Sequence, residues 1–317
     1  MLGLAIGDAL GFPAEFRRRA QILQAFGPAG LTGFVAVHDP AWPRRPAILG
    51  PRHPAGTYSD DTQMTLAVAE ALIEACDADL DTLMGALARR FVAWSEAPDN
   101  DRAPGDSCVR ACRYLAAGVP WDEAGILGSK GCGAAMRVAP IGLAFHARRD
   151  RLLEVARAQA KLTHRHAAAG EAAAAAALFV AMGLRGHTPE AMFAAALAEC
   201  APRSTDFRTC FEKLPGLCAA DPALALSSQG LGEGWVAEEA VAAALWCHWR
   251  APNDFRTAVL LAVNSDGDSD SIACIAGGIS AAVNGLASIP AEWIESVENR
   301  EGLRDVARRL HAACQAT

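Results

Sequence analysis

Tyrosine occurs only twice in the 317 residues, aromatic side chains make up 6% of the chain, and no long run of alternating β-branched residues is present. A half-buried strand needs that alternation, so the sequence argues against a β-rich architecture. No two of the ten cysteines stand in C-x-x-C spacing, which removes zinc ribbons and thioredoxin-type redox motifs. Most of them fall in apolar helical stretches, where a free thiol packs as a small hydrophobe, and a reducing cytoplasm is the expected setting. The longest apolar stretch, Ala172 to Leu184, is too short and too rich in alanine to span a membrane. The N-terminus lacks a basic segment and meets Asp8 early, so it does not read as a signal peptide. A formal charge of −7 argues against a general nucleic-acid binder. It leaves room for one anionic nucleotide, because bound cations can reverse the local sign.

What is present is helical periodicity. Hydrophobic residues make up 52% and charged residues 21%, as in a chain with a substantial core. Met64, Val68, Ala71, Leu72 and Ala75 share one face of a helix that begins near Asp61. Ile272, Ile275, Ala276, Ile279, Val283 and Leu286 repeat the pattern. Further helices are expected around Leu83 to Trp94, Ala167 to Leu184 and Val236 to Trp249. Arg17-Arg18-Arg19 reads as a solvated helix end rather than a phosphate patch. Long irregular stretches at 37–57, 96–107, 125–133 and 201–235 are bounded by apolar helices, and loops of that length in a compact unit are usually functional. The expectation is one all-α domain over residues 1–317.

Two acidic clusters stand out: Ser59-Asp60-Asp61-Thr62 and Asp266-Gly267-Asp268-Ser269-Asp270-Ser271. Each opens an apolar helix. Capping explains part of this, since Ser and Asp satisfy the free N–H groups of a helix start, and Asp60 with Gln63 resembles a capping box. One capping residue suffices, however, and adjacent carboxylates repel unless a cation compensates them. An EF-hand fails for the second cluster, because Ser271 stands where the loop needs glycine and Gly277 where it needs a bidentate glutamate. The two clusters therefore read as halves of one oxygen-ligand site for Mg²⁺, Mn²⁺ or Ca²⁺. Small residues at Ala273, Ala276, Gly277 and Gly278 would let the second helix pack closely.

Six short motifs in order then resemble the ADP-ribosylglycohydrolase family. They are Gly7-Asp8-Ala9-Leu10-Gly11-Phe12-Pro13-Ala14-Glu15, Ser59-Asp60-Asp61-Thr62, and the stretch from Gly131-Cys132-Gly133 through Arg137 to Pro140. Thr163-His164, the stretch from Gly232 to Glu239, and Gly267-Asp268-Ser269-Asp270-Ser271-Ile272-Ala273 complete the set. The resemblance runs from Gly3 to about Gly285. It implies an orthogonal helical bundle with a dinuclear metal cleft holding two Mg²⁺ ions, with Mn²⁺ as a substitute. The implied ligands are Ser59, Asp60, Asp61, Asp268, Asp270 and Ser271.

The same resemblance implies that Glu15, or a ligand such as Asp60, acts as the base. It places Gly105, Ser107, Ser129, Lys130, Gly131, Cys132, Gly133, His164, Gly232, Gly234 and Trp235 around the substrate. Alone, Glu15 could be a solvated helix-start carboxylate, His164 a surface or capping group behind a Thr163 N-cap, and Trp235 either core or a stacking surface. Glycines before Met136 and Val138 could expose backbone N–H groups to an anion, with Lys130 beside them. The implied activity is Mg²⁺-dependent hydrolysis of the glycosidic bond between ADP-ribose and an acceptor, with arginine on a protein as the default. Serine-linked and nucleic-acid-linked ADP-ribose and small metabolites stay open as substrates. Two other readings are a two-metal phosphoester or pyrophosphate hydrolase, and a non-catalytic ADP-ribose binder or structural relative.

Overall fold

The computed structural model describes residues 1–42 and 52–315, with the Gln315 side chain left out. Part of the irregular stretch expected at 37–57 therefore lies outside the described residues. The architecture is all-α, and among the described residues the only β-type pairings are three isolated bridges. Among the described residues, no helix is long and apolar enough to cross a membrane.

The N-terminal helix, Leu2–Gly11, is buried along its whole length and lies antiparallel against the helix Ser269–Asn284. Glycines at every fourth position make this approach possible. A Cβ on Gly3 would strike Ala281 and the Gly277 carbonyl; on Gly7, the Ala273 carbonyl; on Gly11, the Asp270 backbone at 2.5 Å. Backbone is thus packed on backbone, and Gly277 answers from the other side against Gly3. The close approach expected from small residues on the second helix is present. Its other half is this glycine stripe.

Around the pair pack Phe255–Val263, Ala237–Arg250 and Ala167–Gly183. The last is alanine-rich and apolar on all sides, and such a helix belongs in the interior. It is buried from Ala172 to Gly183. Its start differs from expectation. His166, not Thr163, is the N-cap, its Nδ1 accepting from the Ala168 N–H at 3.1 Å. The first acidic cluster opens Asp60–Ala75, which packs on Leu80–Ser95 and on the C-terminal helix Arg300–Gln315.

The Arg17–Arg19 run sits at a helix terminus as expected, with Arg18 exposed as the N-cap of Arg19–Phe26. Arg17 alone departs from the expectation: it is buried, its guanidinium 3.9 Å over the Trp42 ring. Met136 and Val138 do not lie in a helix that follows the glycines. A single 3-10 turn, Cys132–Ala134, comes first, and the next helix runs Ala139–Ala144.

Candidate active site

The two acidic helix starts meet. Asp60, Asp61, Asp268 and Ser271 line one cleft of about 260 Å³, together with Glu15, Gly105, Ser107, Gly131, Cys132, Gly133, His164 and Trp235. Asp270 lies with them, since carboxylate oxygens of Glu15, Asp268 and Asp270 all fall within 4.8 Å of one another. Glu15, expected as a base, thus belongs spatially to the proposed ligand group.

Local structure explains how each part is held. Ser59 caps its helix, its Oγ accepting from the Asp61 N–H at 3.3 Å. The expected Asp60–Gln63 capping box is absent; Gln63 instead donates to Asp99 and accepts from Trp94 Nε1. Beneath the helix start sits Asp8, fully buried. Its Oδ1 accepts from the Ser59 N–H at 2.8 Å, and its Oδ2 from the Thr62 N–H at 2.9 Å and the Thr62 hydroxyl at 2.5 Å. Asp8 therefore holds the first cluster from a different helix, not the Gly7–Gly11 turn around it.

The second cluster is tied to Glu15 by backbone. Gly267 N–H donates to the Arg17 carbonyl at 2.8 Å, and Phe16 N–H donates back to the Gly267 carbonyl at 2.9 Å. Gly267 has φ +85, and a Cβ there would lie 2.5 Å from the Glu233 carbonyl, so only glycine permits this crossing. Asp266 turns away and accepts from the Arg19 N–H at 2.7 Å. The other two bridges, Gly131 with Val236 and Ile126 with His164, staple the remaining loops around the same cleft.

Burial first, and then the charges of Asp270, Asp268, Asp60 and Asp61, push the Glu15 carboxyl well above the usual range. Burial likewise raises Asp60, Asp61, Asp268 and Asp270. Glu15 Oε2, Asp61 Oδ2 and Asp270 Oδ1 are buried without a hydrogen-bond partner. Orphaned carboxylate oxygens of this kind, drawn from both clusters, fit a hard divalent cation.

His164 is buried in the wall. Arg137 Nη2 donates to Thr163 Oγ1 at 2.8 Å, and Thr163 Oγ1 lies 2.8 Å from His164 Nδ1. With the hydroxyl donating to Nδ1, Nε2 carries the ring proton on the side of Gly131 and Gly133. Burial and the Arg137 charge lower the imidazole to about 3, so it is a neutral donor. Arg137 is itself fully buried, 4.3 Å over the Phe91 ring and bonded to Gln159.

Several expected substrate contacts lie behind the wall. Lys130 Nζ is held by Glu238 at 2.6 Å and Asp206 at 2.9 Å, which leaves it committed to carboxylates rather than to phosphate. Ser129 Oγ lies 2.8 Å from Ser107 Oγ and supports that side chain. Gly232 and Gly234 have φ +110 and +84 and shape the loop under Glu239 and Asp268. Cys132 N–H is taken by the Trp235 carbonyl, while its Sγ approaches Asp268 Oδ2 at 2.8 Å. Trp235 is not core: it stacks on Phe16 at 4.8 Å, both rings more than a third exposed at the lip. Phe16 and Arg137 carry parts of this site that the sequence did not point to. Arg137 lies inside a motif that supplies other groups, and Phe16 directly follows the one that ends at Glu15.

Fold and cleft together define an all-helical protein with a buried carboxylate cluster of a kind that could hold a cation. The chain belongs to the ADP-ribosylglycohydrolase family, whose model matches residues 1–317, and it is an enzyme of that family. An uncharacterized protein of Archaeoglobus fulgidus is 32% identical over 311 residues, covering 98% of this chain and 94% of that one. The ADP-ribosylarginine hydrolase Tri1 of Pseudomonas putida is 27% identical over 317 residues, covering 98% and 76%. A solved structure described as an ADP-ribosylglycohydrolase-related protein complex superposes with a TM-score of 0.72 at 29% identity, covering 99% of this chain and 95% of that chain.

Proposed function

We propose that this enzyme cleaves the bond between ribose C1 of ADP-ribose and the side-chain nitrogen of an arginine on a protein, releasing free ADP-ribose. The observation that carries the reading is the convergence of both acidic clusters on one cleft, with three buried carboxylate oxygens left unpartnered. Similarity to an enzyme named for ADP-ribosylarginine favours arginine as the acceptor.

Ser59, Asp60, Asp61, Asp268, Asp270 and Ser271 would hold two Mg²⁺ ions, or Mn²⁺ in their place, with Glu15 beside Asp268 and Asp270. When bound, such ions supply Lewis-acid stabilisation and a template for the sugar. The chain's own groups do the rest. Glu15 Oε2, free of any protein partner, accepts the proton of the water that attacks C1. The carboxylates around it stabilise the positive charge that builds on the sugar as the acceptor leaves. His164 Nε2–H donates to an oxygen of the ADP-ribose, and the exposed faces of Trp235 and Phe16 border the opening.

The test is product analysis on ADP-ribosyl-arginine, ADP-ribosyl-serine and ADP-ribosylated nucleic acid, each with Mg²⁺ and with a chelator. Intact ADP-ribose released from the arginine substrate, and only with metal, is expected. Asp60→Asn and Asp268→Asn should each lose about 10²–10³-fold in kcat. AMP and ribose 5-phosphate among the products would instead mark a pyrophosphate hydrolase.

A further inference from the structure

Far along the first acidic helix, two cysteines from distant parts of the chain meet. Cys76 is the residue on which the Asp60–Ala75 helix ends, and Cys314 lies in the last turn of Arg300–Gln315. Their sulfurs are 2.7 Å apart. The register is fixed independently by an ion pair between the same helices, in which Arg309 Nη1 and Nη2 each donate to Glu70 at 2.7 Å. From that pair the helices run the same way. Cys76 lies six residues beyond Glu70 and Cys314 five beyond Arg309. At the rise of an α-helix these are about 9 Å and about 7.5 Å, so the two thiols arrive at nearly the same height. Cys314 is half-buried and lines one surface cleft, while Cys76, 5% exposed, lines the wall of another.

We propose that Cys76 and Cys314 are a redox-active pair that forms a reversible disulfide by exchange with a small disulfide such as oxidised glutathione. Cys76 attacks first. As thiolate it displaces one glutathione thiolate, forming a mixed disulfide, and its proton passes through solvent to the departing sulfur. Cys314 then attacks Cys76 Sγ and releases the second glutathione, which takes the Cys314 proton. Two thiols are oxidised, and one glutathione disulfide is reduced to two thiols.

Either thiol can donate in this contact. With Cys314 donating, the Cys76 thiol is lowered and that of Cys314 raised, which makes Cys76 the first nucleophile. Once Cys76 carries glutathione, its negative charge is gone and Cys314 is released to ionise. The bond closes a loop between residues 238 positions apart, enclosing the second acidic cluster, and ties the C-terminal helix to the helix that presents Asp60 and Asp61. Such a link stabilises chiefly by restricting the unfolded chain.

Purified protein is incubated with oxidised glutathione, alkylated, digested without reductant and analysed by mass spectrometry, alongside thermal unfolding. A linked Cys76–Cys314 peptide two hydrogens lighter than its parts is expected, with a higher Tm than the reduced protein and reversal by dithiothreitol. In Cys314→Ser the mixed disulfide should be trapped on Cys76, with no gain in Tm. Recovery of both cysteines from oxidised wild-type protein on separate peptides, alkylated or each carrying glutathione, overturns the proposal. Linkage of either one to a different cysteine does the same.

Discussion

Asp8 shows how much of the site depends on a side chain that never reaches the cleft. It accepts two backbone N–H groups and one hydroxyl from the start of the Asp60–Ala75 helix. In Asp8→Asn the shape is kept, but an amide NH₂ must face one of those donors. Leaving a buried donor unpaired costs about 1–3 kcal/mol. The variant should unfold at lower temperature and bind Mg²⁺ more weakly, which calorimetric titration and thermal unfolding would register together. Tight Mg²⁺ binding in a destabilised Asp8→Asn protein would show that the helix start holds its ligands unaided. The Arg137–Thr163–His164 relay makes a second prediction. Thr163→Val removes the hydroxyl that sets the imidazole tautomer, so KM for ADP-ribosyl-arginine should rise several-fold with a smaller change in kcat. An unchanged KM would remove His164 Nε2 from substrate binding.

At the scale of elements, Leu2–Gly11 and Ser269–Asn284 pack backbone on backbone. A Cβ at Gly7 would collide with the Ala273 carbonyl, backbone rather than a movable side chain. Gly7→Val should therefore push the helices apart and destabilise by about 3 kcal/mol or more, seen as a drop in the urea midpoint. It should also separate Glu15 from Asp270, because both helices run directly into the site. A Gly7→Val protein as stable as wild type would mean that this contact does not set the helix spacing.

This level also shows what the sequence made legible. The helices were visible because burial on one face imposes a 3.6-residue period: Asp60–Ala75, Ala237–Arg250 and Ser269–Asn284 fall within a few residues of the expected positions. The segment after Gly133 was not, because Met136, itself outside any helix, is buried against Ser271 and Cys274 of the helix Ser269–Asn284, and burial of that kind follows no helical period. Thr163 looked like a cap because Thr favours that role, yet tertiary structure uses its hydroxyl between Arg137 and His164. Lys130 looked free for phosphate because its partners, Asp206 and Glu238, lie far along the chain.

For the whole molecule, the acidic cleft and the buried histidines pull stability in opposite directions with pH. Burial raises Asp8 from 3.8 to about 6, and lifts Glu15, Asp60, Asp61 and Asp270 well above the usual carboxylate range. In the window between the unfolded and folded values, the native state holds protons that the unfolded chain has lost. Their stabilising contribution is complete below the unfolded value and is lost as pH rises through the folded one. His248, buried with neither nitrogen partnered, is lowered from 6.5 to about 4, and His164 to about 3. Their contribution is complete above 6.5 and is lost as pH falls through those values. Between about 4 and 6 the two effects oppose each other; above 6.5 the histidines no longer act, and the Met1 amine, lowered by burial from 8.0 to about 6, opposes the carboxylates instead. Chelated protein should therefore lose Tm as pH rises through the raised carboxylate range, the several clustered carboxylates outweighing the one amine. Divalent cations, which bind the ionised cluster, should remove that loss, so the gap in Tm between Mg²⁺-loaded and chelated protein widens with pH. His248→Leu should leave this alkaline limb intact and flatten the acid one. A gap that stays constant or narrows as pH rises would mean that the carboxylates of the two clusters do not act together on a shared cation.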